Sequence, residues 1–366
     1  MAVVVRSVTT NDIDQLWDLI EQATYGLTTL QISKHQLTDR VELAEFAFKR
    51  RTEKPAGEPY VFVMEDLTAG KLVGTSCIFS KVGGYEPFYG YRLHEEEIHC
   101  SILNVTRHVS SLHLEKVHDG PTEIGSLFLL PEYRGNGRGR LLSLSRFAFI
   151  AAHPKRFSHE VIAEMRGIVD EHGSSPFWDA IARHCFQMDF PQADSLSTIS
   201  KSFIEELMPA YPIYTCLLPE SARNVIGGIH PQTKPAMAML EAEGFTRTDR
   251  IDIFDGGPKI HSLRDQIKAI QRCRPRLLTD VVDRLDAPPV LLANHHDGFR
   301  AAIGSAIPRD DGITISEVAA LQLRAKKGEV IWWMGLHPDE EPDAPLPLAQ
   351  TASISSESPS SASKEG

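Results

Sequence analysis

The chain has 366 residues, of which 42% are apolar and 24% are charged. These proportions are typical of a globular protein and exclude disorder along the whole chain. Its 49 acidic residues outnumber its 38 basic residues, which gives a formal net charge of −11. This balance argues against a nucleic-acid-binding protein, because such proteins hold phosphate with a basic field.

The N-terminal part predicts a strand over residues 3–8 and a helix that begins at Thr10 or Asn11. A second amphipathic helix is expected from about Gln36 to Arg51. Two runs rich in β-branched and aromatic residues follow, and the glycine turn between them predicts an antiparallel hairpin over residues 60–82.

The middle of the chain is less regular. Residues 85–122 contain only short strand-like pieces, whereas residues 120–130 predict a clear strand and residues 160–167 a further one. Short helices and a final strand are then expected up to residue 255, and a basic helix ends near residue 275.

These patterns predict a division into three parts. Residues 1–275 form the main α/β domain, with a helical insertion at about 168–225. Residues 276–336 alternate in hydrophobicity and form a small β-rich C-terminal domain. The last part, 337–366, is rich in Ser and Pro and is expected to be disordered.

The most informative segment lies between the strand at 120–130 and an apolar helix. It reads Arg134-Gly135-Asn136-Gly137-Arg138-Gly139. Backbone N–H groups in such a turn, together with the positive end of the helix dipole, form a site for a pyrophosphate. A Walker loop is excluded, because no Gly-Lys-Ser/Thr ends the run, and the spacing does not match a dinucleotide fingerprint. The spacing R-x-x-G-x-G resembles the coenzyme A loop of GNAT-type acyltransferases.

Five longer phrases carry a closer resemblance. They are GSLFLLPEYRGNGRGRLLSLSRF, VIAEMRGIVDEHGSSPFW, FIEELMPAYPIY, IGGIHPQTKPAMAMLEAEGF and IDIFDGGP. Together they resemble the arginine N-succinyltransferase family over roughly residues 2–336. The resemblance implies a GNAT-type α/β (α+β) fold with a mixed, mostly antiparallel sheet flanked by helices. It also implies transfer of a succinyl group from succinyl-CoA, as co-substrate with no tightly bound cofactor, to the α-amine of L-arginine.

The chain departs from the family pattern at three places. The turn before Gly-Asn-Gly is compressed, Leu144 replaces a lysine near the coenzyme, and the phrase GLTTLQ lacks a proline. These differences concern the preferred acceptor and its affinity more than the reaction type. Ornithine or another basic amino acid therefore remains an alternative acceptor, and a non-catalytic acyl-CoA-binding partner subunit is a second alternative.

The resemblance also assigns site residues. His230, in the phrase HPQT, corresponds to the family's proton donor, and Leu127 corresponds to the residue whose backbone N–H stabilises the oxyanion. Residues 134–139 are expected to bind the coenzyme pyrophosphate.

Acceptor recognition requires carboxylates for the guanidinium and a cation for the carboxylate. Glu164 and Arg166 alternate on a predicted strand and share a face, so they either hold the two ends of arginine or form a structural ion pair with each other. Asp170 is a guanidinium ligand or a solvated loop residue. Thr28 and Thr29 are candidates for the acceptor pocket, whereas Phe177 and Trp178 are expected to pack in the core.

Three other questions concern cysteine, metal and donor chemistry. Of the five cysteines, Cys185 and Cys216 lack an activating His motif, and the cysteine spacing matches neither a disulfide framework nor a zinc site. His295-His296-Asp297 is interpreted as a loop, so no metal is expected. Arg138, Arg140 and Arg166 are unranked candidates for the succinyl carboxylate.

The free cysteines, the absence of a signal-peptide pattern and the lack of a long apolar run predict a soluble cytoplasmic protein. The expected partners are small-molecule substrates, with no nucleic acid and no membrane. Trp332-Trp333 on an exposed strand predicts a subunit contact, and hence a homo- or hetero-oligomer.

Overall fold

The computed structural model describes residues 2–23, 33–170, 174–197 and 201–339. The strands in these residues are β1 (Val3–Ser7), β2 (Pro59–Asp66), β3 (Lys71–Phe79), β4 (Phe88–Cys100), β5 (Val105–Val117), β6 (Thr122–Leu129), β7 (Glu160–Glu164), β8 (Ile213–Tyr214), β9 (Thr246–Ile251), β10 (Pro258–Leu263), β11 (Arg274–Val282), β12 (Pro289–Asn294), β13 (Arg300–Arg309), β14 (Gly312–Ser316) and β15 (Val330–Gly335).

The α-helices are α1 (Ile13–Glu21), α2 (Lys34–Lys49), α3 (Arg138–Ala152), α4 (Pro176–Ala180), α5 (Ala182–Phe186), α6 (Phe190–Ser197), α7 (Ser202–Leu207), α8 (Glu220–Arg223), α9 (Lys234–Ala242), α10 (Lys268–Arg272) and α11 (Glu317–Leu323). None of the helices in the described ranges is long and apolar enough to cross a membrane.

The strands form one sheet in the order β12-β15-β11-β14-β13-β1-β2-β3-β6-β7-β10-β9-β4-β5-β8. Two neighbouring pairs within the described residues are parallel, β6 with β7 and β11 with β14, and the other pairs are antiparallel. The mixed, mostly antiparallel α/β fold expected from the sequence is therefore confirmed.

The long hairpin of β4 and β5 differs from the short pieces expected over residues 85–122. Thirteen residue pairs join the two strands, from Phe88 with Val117 to Cys100 with Val105. The far half of the hairpin is exposed on both faces, so its residues are polar without alternation. The sequence here therefore lacks the alternation of polar and apolar residues that indicates a half-buried strand, although backbone hydrogen bonds still form the two strands.

Helix α3 is held against the sheet by an aromatic cluster. The ring of Phe149 contacts Phe48 of α2, Tyr60 of β2 and Phe299, with ring centroids 5.0–5.6 Å apart. These contacts join α3 to three separate parts of the chain, and buried aromatic pairs of this geometry stabilise a core beyond their area alone. The helix is thus a rigid support for the glycine turn that precedes it.

The C-terminal strands pair with one another and continue the main sheet. Val5 of β1 pairs with Ala301 of β13. Strands β11 to β15 and helix α11 enclose a hydrophobic cluster that includes Leu278 and Ile315. Between residues 168 and 225, the described residues form α4 to α8 and β8, packed around Trp178. The division into domains stays a prediction, and nearly all of the predicted tail lies outside the described residues.

A buried ion pair connects the end of α9 to α10. Arg272 donates two hydrogen bonds of 2.6 Å to the carboxylate of Glu243, and its Nε donates to the carbonyl of Gly335 in β15 at 3.1 Å. Both side chains are almost fully buried. This pair joins the main sheet region to the C-terminal strands.

Replacing Glu243 with Gln leaves the Arg272 guanidinium buried without its counter-charge. We expect the free energy of unfolding to fall by about 3–5 kcal/mol, measured by urea denaturation. The matched control is Glu241→Gln, because Glu241 is exposed two residues away. A Glu243→Gln variant as stable as this control would contradict the assignment.

Candidate active site

The site is a cleft that opens where β6 and β7 separate. The two strands pair only at Thr122 with Val161 and at Glu123 with Ile162. Beyond these residues the parallel ladder ends, whereas β6 continues to pair with β3 and β7 continues to pair with β10. A cleft of about 1050 Å³ lies there, lined by residues of both strands.

Strand β6 is irregular where it borders the cleft. Gly125 pairs with Cys77 and Phe128 pairs with Thr75, so Ser126 and Leu127 together oppose the single residue Ser76. Ser126 adopts a left-handed conformation with φ 51°. This is a β-bulge, which interrupts the ladder and turns backbone groups away from it. Both Ser126 and Leu127 line the cleft, and the oxyanion role of Leu127 stays a prediction.

The glycine turn lies between β6 and α3, as expected. Gly135, Asn136 and Gly137 all have positive φ values, of 96°, 50° and 75°. Gly137 is the N-cap of α3, and open space surrounds Gly135 and Gly139. Successive left-handed residues at the start of a long helix present backbone N–H groups that favour an anion.

The arginines of this turn have different surroundings. Arg134 lines the cleft and donates to the carbonyl of Leu129 at 3.2 Å. Arg138 donates to the carbonyl of Tyr133 and lies over its ring. Arg140 instead donates to the carbonyl of Leu336 at 2.9 Å, near the described end of the chain.

His230 also lines the cleft and lies directly before the 3-10 helix Pro231–Thr233. Its backbone N–H donates to the carbonyl of Arg166 at 2.9 Å, which ties the loop to the end of β7. Its Nδ1 accepts a hydrogen bond from the N–H of Gln232 at 3.3 Å. This contact assigns the proton of the neutral ring to Nε2. Partial burial, and then the nearby Arg166 charge, lower the pKa of His230, so the ring is neutral at physiological pH.

Arg166 is positioned by Asp255 of the phrase IDIFDGGP. The Nε of Arg166 lies 3.5 Å from Oδ2 of Asp255, and both side chains are buried. Asp255 also accepts hydrogen bonds from the N–H groups of Gly167 and Gly257, at 2.9 and 2.8 Å. The Arg166 guanidinium lies over the Phe190 ring, 4.9 Å from its centroid.

Glu164 has a different partner. Its Oε1 lies 2.7 Å from Nζ of Lys259 in β10, which is buried and lies over the Phe88 ring. Burial raises the pKa of Glu164. Burial also raises the pKa of Glu123, on the facing strand, to about 7, and the negative charge of Glu164 contributes. Two carboxyl groups with raised pKa values therefore line the cleft.

The remaining predicted acceptor residues are placed as follows. Asp170 lines the cleft, and its Oδ1 accepts a hydrogen bond from the N–H of Ser174 at 2.8 Å. Thr28 and Thr29 lie outside the described residues. Phe177 and Trp178 are buried in the cluster around α4, as expected.

Three residues outside the predicted site also have defined surroundings. Leu144 is buried in the core on α3, so the position of the family lysine here faces apolar neighbours. His295 stacks on Phe149, and its burial lowers its pKa well below the usual value. Burial raises the pKa of the Cys185 thiol. In the ranges that the structure describes, no cluster of His, Cys, Asp and Glu could hold a metal ion.

The sequence analysis missed several charged residues of the cleft. They are Arg40, Glu123, Arg146, Lys201, Asp252 and Asp255. One signal was present for Arg146, because a charged residue interrupts the apolar face of α3 between Ser145 and Phe147. Glu123 sits in the strand GPTEIGSLFLL, where a lone acidic residue gave no indication of its partner on β7.

The family model described as arginine N-succinyltransferase beta subunit matches residues 3–269. The arginine N-succinyltransferase subunit beta of Pseudomonas aeruginosa is 42% identical over 327 residues, which cover 89% of this chain and 96% of that protein. This chain belongs to the arginine N-succinyltransferase family.

Two further relatives agree. An arginine N-succinyltransferase of Salmonella schwarzengrund is 41% identical over 348 residues, which cover 92% of this chain and 99% of that protein. The solved structure of arginine/ornithine succinyltransferase subunit AI from Pseudomonas aeruginosa has a TM-score of 0.82 and 29% identity, and covers 92% of this chain and 99% of that chain. The family inferred from the sequence is confirmed.

The raised pKa of Glu123 predicts a pH-dependent stability. The native state retains a proton between pH 4.5 and about 7 that the unfolded chain releases, so the free energy of unfolding falls as pH rises through this window. The fall due to this group amounts to about 3 kcal/mol. Urea unfolding at pH 5 and pH 7.5 measures it.

The variant Glu123→Gln should show a flatter dependence, because its side chain does not titrate. Glu132→Gln is the control, since Glu132 is exposed near the same strand. If wild type and Glu123→Gln lose equal stability between the two pH values, the buried carboxyl is not the cause.

Proposed function

We propose that this chain transfers the succinyl group of succinyl-CoA to the α-amine of L-arginine, which gives N2-succinylarginine and free coenzyme A. The observation that carries the proposal is the cleft itself. Leu127 of the bulge, Arg134 of the glycine turn and His230 all line it. The names of the relatives supply the acyl group and the acceptor.

The donor binds along β6 in this proposal. Residues 134–139 hold the pyrophosphate at the start of α3, where backbone N–H groups and the helix dipole favour negative charge. The thioester then lies at the bulge, and the N–H of Leu127 donates to the oxygen that becomes negative in the tetrahedral intermediate. A backbone donor in a rigid strand is already oriented before the reaction begins.

The acceptor amine must lose its proton before it attacks the thioester carbon. We assign the proton acceptor to Glu123, because its pKa of about 7 suits proton transfer near neutral pH and because it lies four residues before Leu127 on the same strand. Attack forms the C–N bond, collapse of the intermediate breaks the C–S bond, and one net proton is released.

In this proposal His230 stabilises the sulfur that leaves with coenzyme A. Its neutral ring carries hydrogen on Nε2, because Nδ1 accepts the Gln232 N–H. Nε2–H can therefore donate a hydrogen bond to the departing sulfur. The thiolate then takes up the second proton of the amine, which gives free coenzyme A and leaves one net proton released. The imidazolium form would lose the Gln232 hydrogen bond, so the loop geometry and the lowered pKa agree.

Two ends of the acceptor need opposite charges. Arg166, held by Asp255, supplies a cation for the α-carboxylate near His230. Asp170 and Glu164 supply carboxylates for the guanidinium, although Glu164 also pairs with Lys259. A relative is described as acting on arginine or ornithine, so ornithine is the second candidate acceptor.

We also propose that the protein is cytoplasmic and oligomeric. The five cysteines are free in the structure, as expected in a reducing compartment. Two relatives are described as subunits, which supports assembly with copies of the chain or with a second polypeptide.

The direct test mixes purified protein with succinyl-CoA or acetyl-CoA and with L-arginine or L-ornithine, and follows thiol release and product mass. The proposal predicts release with succinyl-CoA, and an arginine mass increase of one succinyl group. Release with ornithine alone would replace the acceptor. Binding of coenzyme A without transfer to either amine would support the non-catalytic subunit instead.

Replacing His230 with Ala should lower kcat by about 10²- to 10⁴-fold, because the leaving sulfur loses its hydrogen-bond donor. Binding of coenzyme A, measured by calorimetry, should be unchanged. His35→Ala is the control, since His35 is exposed at the start of α2. Turnover near the wild-type rate in His230→Ala would rule out this role.

Replacing Glu123 with Gln should remove a limb of the pH profile. In the wild type, kcat/KM for arginine rises with pH through about 7, as Glu123 loses its proton. The variant should be slower by about 10²-fold or more and should lack that inflection. An unchanged inflection would assign the titration to another group, and Glu132→Gln serves as the matched control.

A further inference from the structure

Arg146 is an unusual member of the cleft wall. It lies within α3 and is only 2% exposed, yet it lines the cleft. Its Nε donates to the carbonyl of Ser143 at 3.2 Å, and its Nη2 donates to the Ser143 hydroxyl at 2.9 Å. Both acceptors are neutral, and among the described residues no carboxylate lies within 4 Å of this guanidinium.

Two other buried arginines, one in the cleft and one in the core, show the contrast. Arg166 lies beside Asp255, and Arg272 pairs with Glu243. Burial without such a partner lowers the pKa of Arg146 to about 10, so the group is still charged at neutral pH. A charge buried in this way is unfavourable unless an anion reaches it. The cleft is the route by which a ligand anion can do so.

The place of Arg146 indicates which anion this is. Helix α3, which carries Arg146, packs against β3 and β6, and Cys77 of β3 pairs with Gly125, the residue before the bulge. Arg146 therefore lies on the Leu127 side of the cleft, where the proposed function places the thioester and its acyl chain. Arg166, next to the His230 loop, is on the acceptor side.

We propose that Arg146 binds the terminal carboxylate of the acyl donor and thereby selects a succinyl group over uncharged acyl groups. A planar guanidinium suits this task, because it can form two parallel hydrogen bonds to a carboxylate. Arg138 and Arg140, which the sequence could not rank against Arg166, donate instead to the carbonyls of Tyr133 and Leu336. The inference rests on the proposed function for the position of the donor.

The test uses two stable thioethers of coenzyme A. S-(3-carboxypropyl)-CoA ends in a carboxylate, and S-butyl-CoA has a methyl group in its place. Calorimetry on the full chain gives the ratio of their Kd values without any transfer step. The wild type should prefer the carboxylate, and Arg146→Met should reduce that preference by about 10²-fold while leaving S-butyl-CoA affinity nearly unchanged.

Two variants complete the comparison. Arg146→Lys keeps the charge and loses the fork, so it should retain part of the preference and answers the question if Arg146→Met does not fold. Arg156→Met is the matched control, because Arg156 is also buried but donates to the carbonyl of Ala47 in α2. It should keep the full wild-type preference.

Three results would overturn the proposal. One is a wild type that binds both thioethers equally, and another is a preference that survives in Arg146→Met, or in full in Arg146→Lys. The third is a raised KM for arginine with the thioether preference intact, which would assign Arg146 to the acceptor carboxylate. A wild type that shows the Arg146-dependent preference but transfers nothing to arginine would refute the proposed function and leave this inference standing.

Discussion

The early end of one parallel strand pair determines the rest of the site. β6 and β7 share only two residue pairs before they diverge, whereas β6 continues to pair with β3 and β7 with β10. Backbone groups that leave a ladder need other partners, and a cleft at that point makes them available to a substrate. The bulge at Ser126 and Leu127 adds to the same effect.

The cleft between β6 and β7 holds charged side chains in a poorly solvated space. Glu123 and Glu164 both line the cleft, and burial raises the pKa of both. Opposite charges compensate in part, since Lys259 pairs with Glu164 and Asp255 lies beside Arg166. Arg146 has no such counter-charge among the described residues. An enzyme that binds a dicarboxylic acyl group and a dibasic amino acid needs this mixed set, because each substrate brings charges that the cleft must meet.

Rigid supports hold this arrangement. The Phe149 cluster clamps α3, and through it the glycine turn, while the Arg166 carbonyl holds the His230 loop through a single backbone hydrogen bond. The glycine turn and the His230 loop thus come from segments about a hundred residues apart in the chain. Their relative position depends on the sheet order, in which β10 lies beside β7 and brings Lys259 to Glu164.

The local sequence pattern was sufficient to predict the glycine turn between a strand and a helix, and most of the strands. It also carried the family resemblance that assigns roles to His230 and Leu127. Each of these depends on residues adjacent in sequence. The β4–β5 hairpin was not predictable in length, since its exposed half has no alternation. Only the tertiary structure showed that Glu123 lies near Glu164, that Asp255 and not Glu164 lies beside Arg166, and that Arg146 is buried on the cleft wall without a carboxylate. Such facts depend on which strands become neighbours and on how deeply each charge is desolvated, and neither quantity is encoded in the spacing of residues along the chain.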